Sequence, residues 1–536
     1  MDRMIYNPME EYEKKFQTLH LQNTENYFRE LVSRSGVDAE RNRQTVQQYL
    51  SCKEGTEKLR KKLNWLRFFR VLMCITLVLI PVVILKTTPK IKALREQIAQ
   101  ADQKAEELLA EARRQMEPLN CLFTAWDCLR LFEKTVPMAS FETGFTAKQE
   151  EDMRINYDFT GQTNDQQSTM DLLAGHYNEN PFLFENKRLH IMGMETYHGY
   201  KTIRWTETYR DSDGKTRTRV RTETLHATVT KPKPFYNTQV VLNYCAQGAP
   251  DLEFGRDATN LDEKNERQIA RYVRKGEKKL RKKAEKALKT EDDFVSMSNT
   301  EFEVLFDALN RTDEVQFRTL FTPLAQTNMV DLLLSKVGYG DDFHFFKERR
   351  TNKIIASHSQ GRPLMLQPNG YTSYSFDEIQ SKFISLNTDF FKMMYFDFAP
   401  VWAIPIYQER PVHSLKPIPD LSQRYALKEC EALANRLNPK EVVHPDTQTK
   451  AIVKASFAGA QNELDETCIT AYSYDIHKRV DIVSVHGGDG RWHNVPVEWD
   501  EYMPLEMETR FYVTKEEFAQ NQNILARHND LCIFRK

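Results

Sequence analysis

Residues Phe68–Leu85 read FFRVLMCITLVLIPVVIL. No charged residue falls between Val71 and Leu85. A membrane-spanning helix needs roughly 20 apolar residues, with a lower limit near 17. This run reaches that range because Arg70 and Lys86 can extend their charged heads to the two interfaces. Trp65, Phe68 and Phe69 stand where an interfacial aromatic belt forms, and Pro81 is tolerated inside a membrane. The sequence thus predicts one transmembrane helix over 68–86 and a single-pass cell-membrane protein. A buried core helix is the alternative, and the charge clusters on both flanks argue against it. A cleaved signal peptide is disfavoured because the charged stretch Lys86–Arg95 follows in place of a small-residue cleavage site.

Orientation rests on two opposed signals. Lys58, Arg60, Lys61, Lys62, Arg67 and Arg70 precede the run, whereas Lys86, Lys90, Lys92 and Arg95 follow it. The positive-inside rule then favours a cytoplasmic N-terminus. Cys121, Cys128, Cys245, Cys430, Cys468 and Cys532 show no spacing of a disulfide framework, which suits a cytoplasmic body instead.

The 536 residues suffice for several domains. The whole chain is 28% charged and 40% hydrophobic, and outside the apolar run the composition is that of an ordinary soluble protein. Only 19 glycines argue for much helix and few glycine-rich ligand loops. A net charge of −1 leaves no global field for nucleic acid, so any anion binding must be local.

The expected fold class is α+β: N-terminal helices over 1–67, the transmembrane helix, a helical or coiled-coil stalk over 87–117, a mixed α+β body with antiparallel hairpins over 118–410, and a β-rich C-terminal α+β domain over 411–536. In the stalk, Ile91, Leu94, Ile98, Ala101, Ala105, Leu108 and Ala112 recur three and four apart, as a coiled-coil seam does. A helix over Leu119–Lys134 carries the stripe Leu122, Trp126, Leu129 and Phe132. Residues 140–175 read as loop. Two threonine-rich runs around Asp213-Gly214 predict a β-hairpin over Tyr200–Val229. With Asp213-Gly214 as a two-residue turn, Arg217, Arg219 and Arg221 share a face with Arg204 and Arg210. Phe317–Phe321 reads as a strand, with Thr322 as the N-cap and Pro323 as the first residue of the next helix. Strands are expected at Lys353–Ser357 and Leu364–Gln367, with Asn369-Gly370 as a further hairpin turn. Ser375–Glu378 opens a helix to about Met394. Phe396–Tyr407 contains Pro400 and Pro405 and fits an edge strand. A second long hairpin is expected around Gly487-Gly488-Asp489-Gly490.

Two places carry chemistry. The arginines Arg217, Arg219 and Arg221 form a basic sheet face, whose simpler reading is a solvated edge. The charged helix Asp262–Lys289 carries Arg271, Arg274, Lys278 and Lys282 opposite a narrow apolar side of Ile269, Val273, Leu280, Ala284 and Leu288. Such a helix meets anionic lipid or nucleic acid, or is merely solvated and packed by one edge. Gly276 interrupts it. His477, His486 and His493 form the one histidine grouping, with His486 and His493 expected to face each other across their hairpin; a metal would need a third ligand that the spacing does not name. No phosphate-binding loop, nucleophile elbow, His-Glu-x-x-His or Cys-x-x-Cys is present in the sequence.

The string NTEFEVLFDALNRTDEVQFRTLFTPLAQ, with the WTETY…DGKTRTR…ATVTKP hairpin before it, resembles uncharacterised bacterial single-pass membrane proteins. The resemblance implies an N-terminal anchor followed by an α+β domain of unknown function, and assigns no residue a role. The expectation is therefore a membrane-anchored scaffold or interaction protein, with no cofactor. Its partners would be the lipid bilayer, a second copy through the stalk, and another protein. The alternative is a basic module that binds anionic membrane or nucleic acid through residues 271–289. The weaker alternative is a hydrolase or metal-dependent enzyme.

Overall fold

The computed structural model describes residues 4–74, 80–161, 165–259, 261–290, 297–411, 416–418, 425–461, 464–515, 523–528 and 531–535; within its helices the side chains of 70–74, 80–86 and 287–290 are not described. The helices are α1 (Pro8–Glu11), α2 (Gln17–Ser35), α3 (Ala39–Cys74), α4 (Ile80–Asn120), α5 (Asp127–Thr135), α6 (Ala147–Tyr157), α7 (Glu266–Thr290), α8 (Thr300–Phe306), α9 (Glu314–Leu320), α10 (Pro323–Leu334), α11 (Phe376–Trp402), α12 (Leu427–Ala434) and α13 (Pro439–Val442). The chain forms two compact units. One is helical, Glu10–Pro137 with Met365–Phe396. The other is β-rich, Met1–Met9 with Met138–Leu364 and Asp397–Lys536. Both are assembled from segments distant in sequence.

In the helical unit, α2, the end of α4, α5 and the start of α11 bury Phe28, Leu31, Met116, Leu119, Phe123, Leu131, Phe376 and Phe383 together. His20 stacks on Phe391, with ring centroids 4.0 Å apart, and burial pushes its pKa down to about 4. Helices α3 and α4 run antiparallel. Arg41 approaches Glu111 (3.5 Å), Cys52 donates to the Ala101 carbonyl (3.3 Å), and Leu63 packs with Ile91 and Leu94. The seam expected to form a stalk is thus covered by α3 of the same chain. This pairing also corrects the single straight span over 68–86. Residues before and after the apolar run lie side by side, whereas one crossing would hold them a bilayer apart. No helix among the described residues is long and apolar enough to cross a membrane. Residues 75–79, in the middle of the expected span, lie outside those described.

The β-rich unit holds two antiparallel sheets. The seven-stranded sheet has the order β1-β2-β3-β4-β7-β6-β5, from β1 (Ala139–Phe141), β2 (Gln167–Tyr177), β3 (Asn180–Arg210), β4 (Thr216–Cys245), β5 (Glu253–Arg256), β6 (Phe343–Glu348) and β7 (Thr351–Ala356). The five-stranded sheet has the order β11-β12-β10-β9-β8, from β8 (Ile452–Gln461), β9 (Leu464–His486), β10 (Trp492–Lys515), β11 (Ile524–His528) and β12 (Leu531–Phe534). Strands β3 and β4 pair far beyond the residues that β2 and β7 reach, and so do β9 and β10 beyond β8 and β12. Each pair continues as a two-stranded ribbon. A lone ribbon is marginally stable in water. Here the two cover each other through Ile203, Leu225, Ala227, Val495 and Val497. Gly199 permits the approach, since a Cβ there would sit 2.2 Å from the Pro496 carbonyl oxygen.

Both ribbons close with the same loop. Asp211 and Lys215 bracket one and Gly487 and Arg491 the other, with Gly214 and Gly490 at φ 75° and 76°. These are three-residue loops ending in a left-handed glycine. Because the loop is one residue longer than the expected two-residue turn, the register slips by one and the faces exchange. Arg217, Arg219 and Arg221 therefore oppose Tyr209, Glu207 and Trp205, on the face opposite to Arg204 and Arg210.

Other expectations are also corrected. Phe396–Tyr407 is no edge strand; α11 continues through Pro400 to Trp402, and a 3-10 turn follows at Pro405–Gln408. Proline removes one helical hydrogen bond, but Phe398 and Trp402 are fully buried and stacked at 5.0 Å. Residues 140–175 contain β1, α6 and β2. Phe317–Phe321 lies in and just after α9, and Pro368–Gly370 is a 3-10 turn. Thr322 does cap α10, accepting from the Ala325 amide.

Candidate functional site

The structure presents three basic surfaces, two of them expected from the sequence, and their partners separate them. On the ribbon, Arg217 pairs with Asp211 (2.6 Å), and Arg219 and Arg221 both pair with Glu207 (2.7 and 2.6 Å). Pairs of this kind offset most of the charge on the face and add little stability. On α7, Ile269, Val273, Leu280 and Ala284 are half-buried, and Arg271, Arg274, Lys278 and Lys282 are exposed. The helix packs by its thin apolar edge on α8. Its Gly276 lies so close to α8 that a Cβ would meet Val304 at 2.3 Å. None of these four basic residues has an ion pair among the described residues. The α7 residues and the ribbon arginines occupy separate elements and are not brought together. A cleft of about 1130 Å³ beside α7 mixes Lys279, Lys283 and Arg318 with Asp307, Asp313 and Glu314, so it presents no single sign of charge.

The third surface is the end of the α3–α4 pair nearest the apolar run. From Lys58 to Arg95 the chain contains no Asp or Glu. Antiparallel pairing gathers the two flanking basic clusters at one end of the pair. Lys61, Lys62, Arg67, Lys90, Lys92 and Arg95 are exposed there. Trp65 and Phe68 are 61% and 67% exposed, and Trp65 stacks on Phe69 at 5.4 Å. Sequence reading assigned these residues to opposite interfaces; the acid-free stretch was the available signal that they form one patch.

The buried polar groups serve the fold. Helix α12 lies between the two sheets. Lys428 pairs with Glu185 (2.7 Å), which also holds Lys187 (2.9 Å). Burial pulls Glu185 upward, but the two ammonium groups outweigh it and hold the carboxyl down at about 2. Glu431 pairs with Lys454 (2.6 Å). His528 sits between Asp171 (2.8 Å) and Glu429. Burial lowers its pKa, but the two carboxylates prevail and raise it. Near the end of α11, His358 meets Asp342 (2.7 Å) and Asp397 (3.4 Å), and burial pushes Asp397 up to about 6. Ser359 Oγ donates to both carboxylate oxygens of Asp397 (2.6 and 2.8 Å).

The histidine grouping also separates. His493 pairs with Val485 and His486 with Trp492 across the ribbon, so the two histidines point to opposite faces. His493 is held by Asp489 (2.9 Å) and His477 by Asp475 (2.9 Å). Among the described residues no group of three or more metal-ligating side chains occurs.

No family model, curated protein or solved structure matches the chain. The functional argument rests on its own residues.

Proposed function

We propose that the protein is a membrane-anchored scaffold or interaction protein that holds its β-rich unit at an anionic membrane surface. One observation carries this reading: the end of the α3–α4 pair combines exposed Trp65 and Phe68 with an acid-free basic cluster beside an uncharged apolar run. Aromatic rings settle at the headgroup level, and each Lys or Arg near an anionic surface contributes about 1 kcal/mol. Anchoring acts by raising local concentration rather than by chemistry. The coiled-coil seam is already occupied by α3, so a second copy or another protein would be met elsewhere. In the test, cells expressing the full chain are fractionated and the membranes washed with high salt and with alkaline carbonate. Retention in the membrane pellet through both washes is expected, and recovery in the first supernatant would sink the reading.

A second reading is favoured by the unpaired basic face of α7. Here Arg271, Arg274, Lys278 and Lys282 bind an anionic surface, either lipid or nucleic acid. Binding of the purified chain to anionic vesicles or to RNA should then weaken steeply with salt.

A further inference from the structure

We infer that a cavity between β3 and the segment Ala434–Val453 binds a small organic carboxylate, its head on Arg188 and its apolar body against Leu437, Val442 and Val453. The inference does not rest on the anchoring reading.

Three observations combine. First, the cavity has the size and the lining of a small-molecule site. Its volume is about 640 Å³, and such sites usually measure about 300–1,000 Å³. Leu437, Val442, Ala451 and Val453 line it and are themselves buried. Hydrogen bonds within the fold already fix its polar walls. Thr447 Oγ1 shares one with Ser473 Oγ (2.7 Å). Thr449 Oγ1 accepts from the Tyr236 hydroxyl (3.3 Å) and the Tyr474 amide (3.0 Å). The cavity is thus shaped before any ligand arrives.

Second, its charge has one sign, unlike that of the cleft beside α7. Arg188, Lys440 and Lys450 line it, and no Asp or Glu does. None of these three cations has an ion pair among the described residues. His444, also in the lining, lies 3.7 Å from Asp446.

Third, Arg188 stands apart from the other arginines withdrawn from solvent. Among the described residues these are Arg256, Arg311 and Arg350, and they pair with Asp341, Glu303 and Asp158. Arg188 is half-buried in β3, opposite Ser168 of β2 and Thr238 of β4. Its Nη1 donates to the Ala451 carbonyl (3.0 Å). Its Nε is buried without a partner, and Nη2 makes no hydrogen bond among the described residues. Burial lowers its pKa, and Tyr236 rather than a carboxylate opposes that pull. Nε–H and Nη2–H form one flat edge of the guanidinium, which grips a carboxylate through two parallel hydrogen bonds. A buried donor on a charged group calls for an acceptor. A monoanion with two oxygens meets both the charge and the edge. Lys440 and Lys450 are exposed and draw the anion in rather than hold it.

The test titrates the purified full chain with hexanoate by calorimetry. Hexan-1-ol, which lacks the charge, and acetate, which lacks the body, serve as controls. Hexanoate should bind saturably and about tenfold or more tighter than either control. Arg188→Met keeps the bulk of the side chain and removes the guanidinium. It should weaken hexanoate about tenfold or more and leave hexan-1-ol unchanged, with thermal melting confirming a folded chain. Val443→Trp fills the cavity from its half-buried wall and removes no charge. It should weaken hexanoate and hexan-1-ol alike, and it carries the test alone if Arg188→Met does not fold. The inference is overturned by an absence of binding or by equal affinity for hexanoate and hexan-1-ol. A folded Arg188→Met with wild-type affinity, or hexanoate binding that survives Val443→Trp, also overturns it. Hexyl phosphate bound about tenfold tighter than hexanoate would replace the carboxylate by a phosphate monoester and overturn the assignment of the head.

Discussion

Helices α7 and α12 are both rich in charge, and the fold uses that charge in opposite ways. In α12, LKECEALA, Lys428, Glu429 and Glu431 are buried, and each meets a partner from a surrounding strand. In α7, the four basic residues at 271, 274, 278 and 282 face solvent unpaired, and only a thin edge is packed. A charge taken out of water costs several kcal/mol unless opposite charge and hydrogen bonds meet it. Helix α12 satisfies this because it is short and strands from two sheets converge on it. Helix α7 packs by one thin edge on α8, so Arg271, Arg274, Lys278 and Lys282 stay solvated. Charge in a sequence thus marks a binding surface only where the fold has not already used it.

The largest expected effect breaks the α12 side. Glu185→Ala leaves Lys428 buried without its carboxylate. Removing one partner of a buried pair costs about 3–5 kcal/mol, read as a drop in the denaturant midpoint. Replacing both Glu185 and Lys428 by Met should recover most of that loss, because apolar replacements of buried pairs are often close to neutral. If Glu185→Ala unfolds at the wild-type midpoint, the network is not structural.

His528 comes next. Its folded pKa is raised above the ordinary histidine value by Asp171 and Glu429 against the pull of burial. The stability it contributes is fully present below about pH 6.5, its unfolded pKa. That stability is lost as pH climbs through the folded value. Thermal melting of the wild type should therefore fall from pH 6 to pH 9. His528→Gln should lower stability at pH 6 by about 1.5–3 kcal/mol, as expected for a lost hydrogen bond to a charged group, and flatten the profile. A wild-type profile as flat as the variant's would remove the ionic role of His528.

A smaller effect sharpens the α7 side. Alanine is a better helix former than glycine by about 1 kcal/mol, so Gly276→Ala would stabilise a free helix. Against Val304, however, the new Cβ lies at 2.3 Å, and overpacking costs about 1–3 kcal/mol. The net expectation is a loss of about 1 kcal/mol, reversed to a gain when Val304→Ala is added. Equal effects of Gly276→Ala with and without Val304→Ala would show that the contact does not set the cost.

Local signals in the sequence translated well. The positions of the two long hairpins, the Thr322 cap and the narrow apolar side of α7 needed only neighbouring residues. The Thr146–Gln149 capping box that opens α6 is an equally local signal, set in a stretch whose polar, unpatterned composition reads as loop. Longer-range features were not legible. The ribbon register depended on one residue of loop length, set where Asp211 accepts from the Asp213 and Lys215 amides. The continuation of α11 through Pro400 depended on burial of Trp402. The α3–α4 pairing depended on contacts such as Arg41 with Glu111, seventy positions away. Period and charge describe a helix but not what covers it, so a seam suited to a coiled coil gave no sign that its partner was the preceding helix. Arg271, Arg274, Lys278 and Lys282 of α7 are legible from sequence alone because they form no ion pair among the described residues.

The smallest stability effect is therefore the most informative about function. Lys278→Glu with Lys282→Glu should change the unfolding free energy by no more than about 0.5 kcal/mol, as surface substitutions usually do. The ribbon control Arg219→Ala, which loses one exposed ion pair, should cost about 0–1 kcal/mol. The two differ in binding. If α7 is an anionic-ligand surface, its reversal lowers vesicle binding and its salt dependence together, while the ribbon, whose Arg217, Arg219 and Arg221 are all ion-paired, leaves both unchanged. If α7 is merely solvated, neither variant alters binding. A marked loss of stability on α7 reversal would mean that its charges are matched in the fold after all, and the contrast with α12 would collapse.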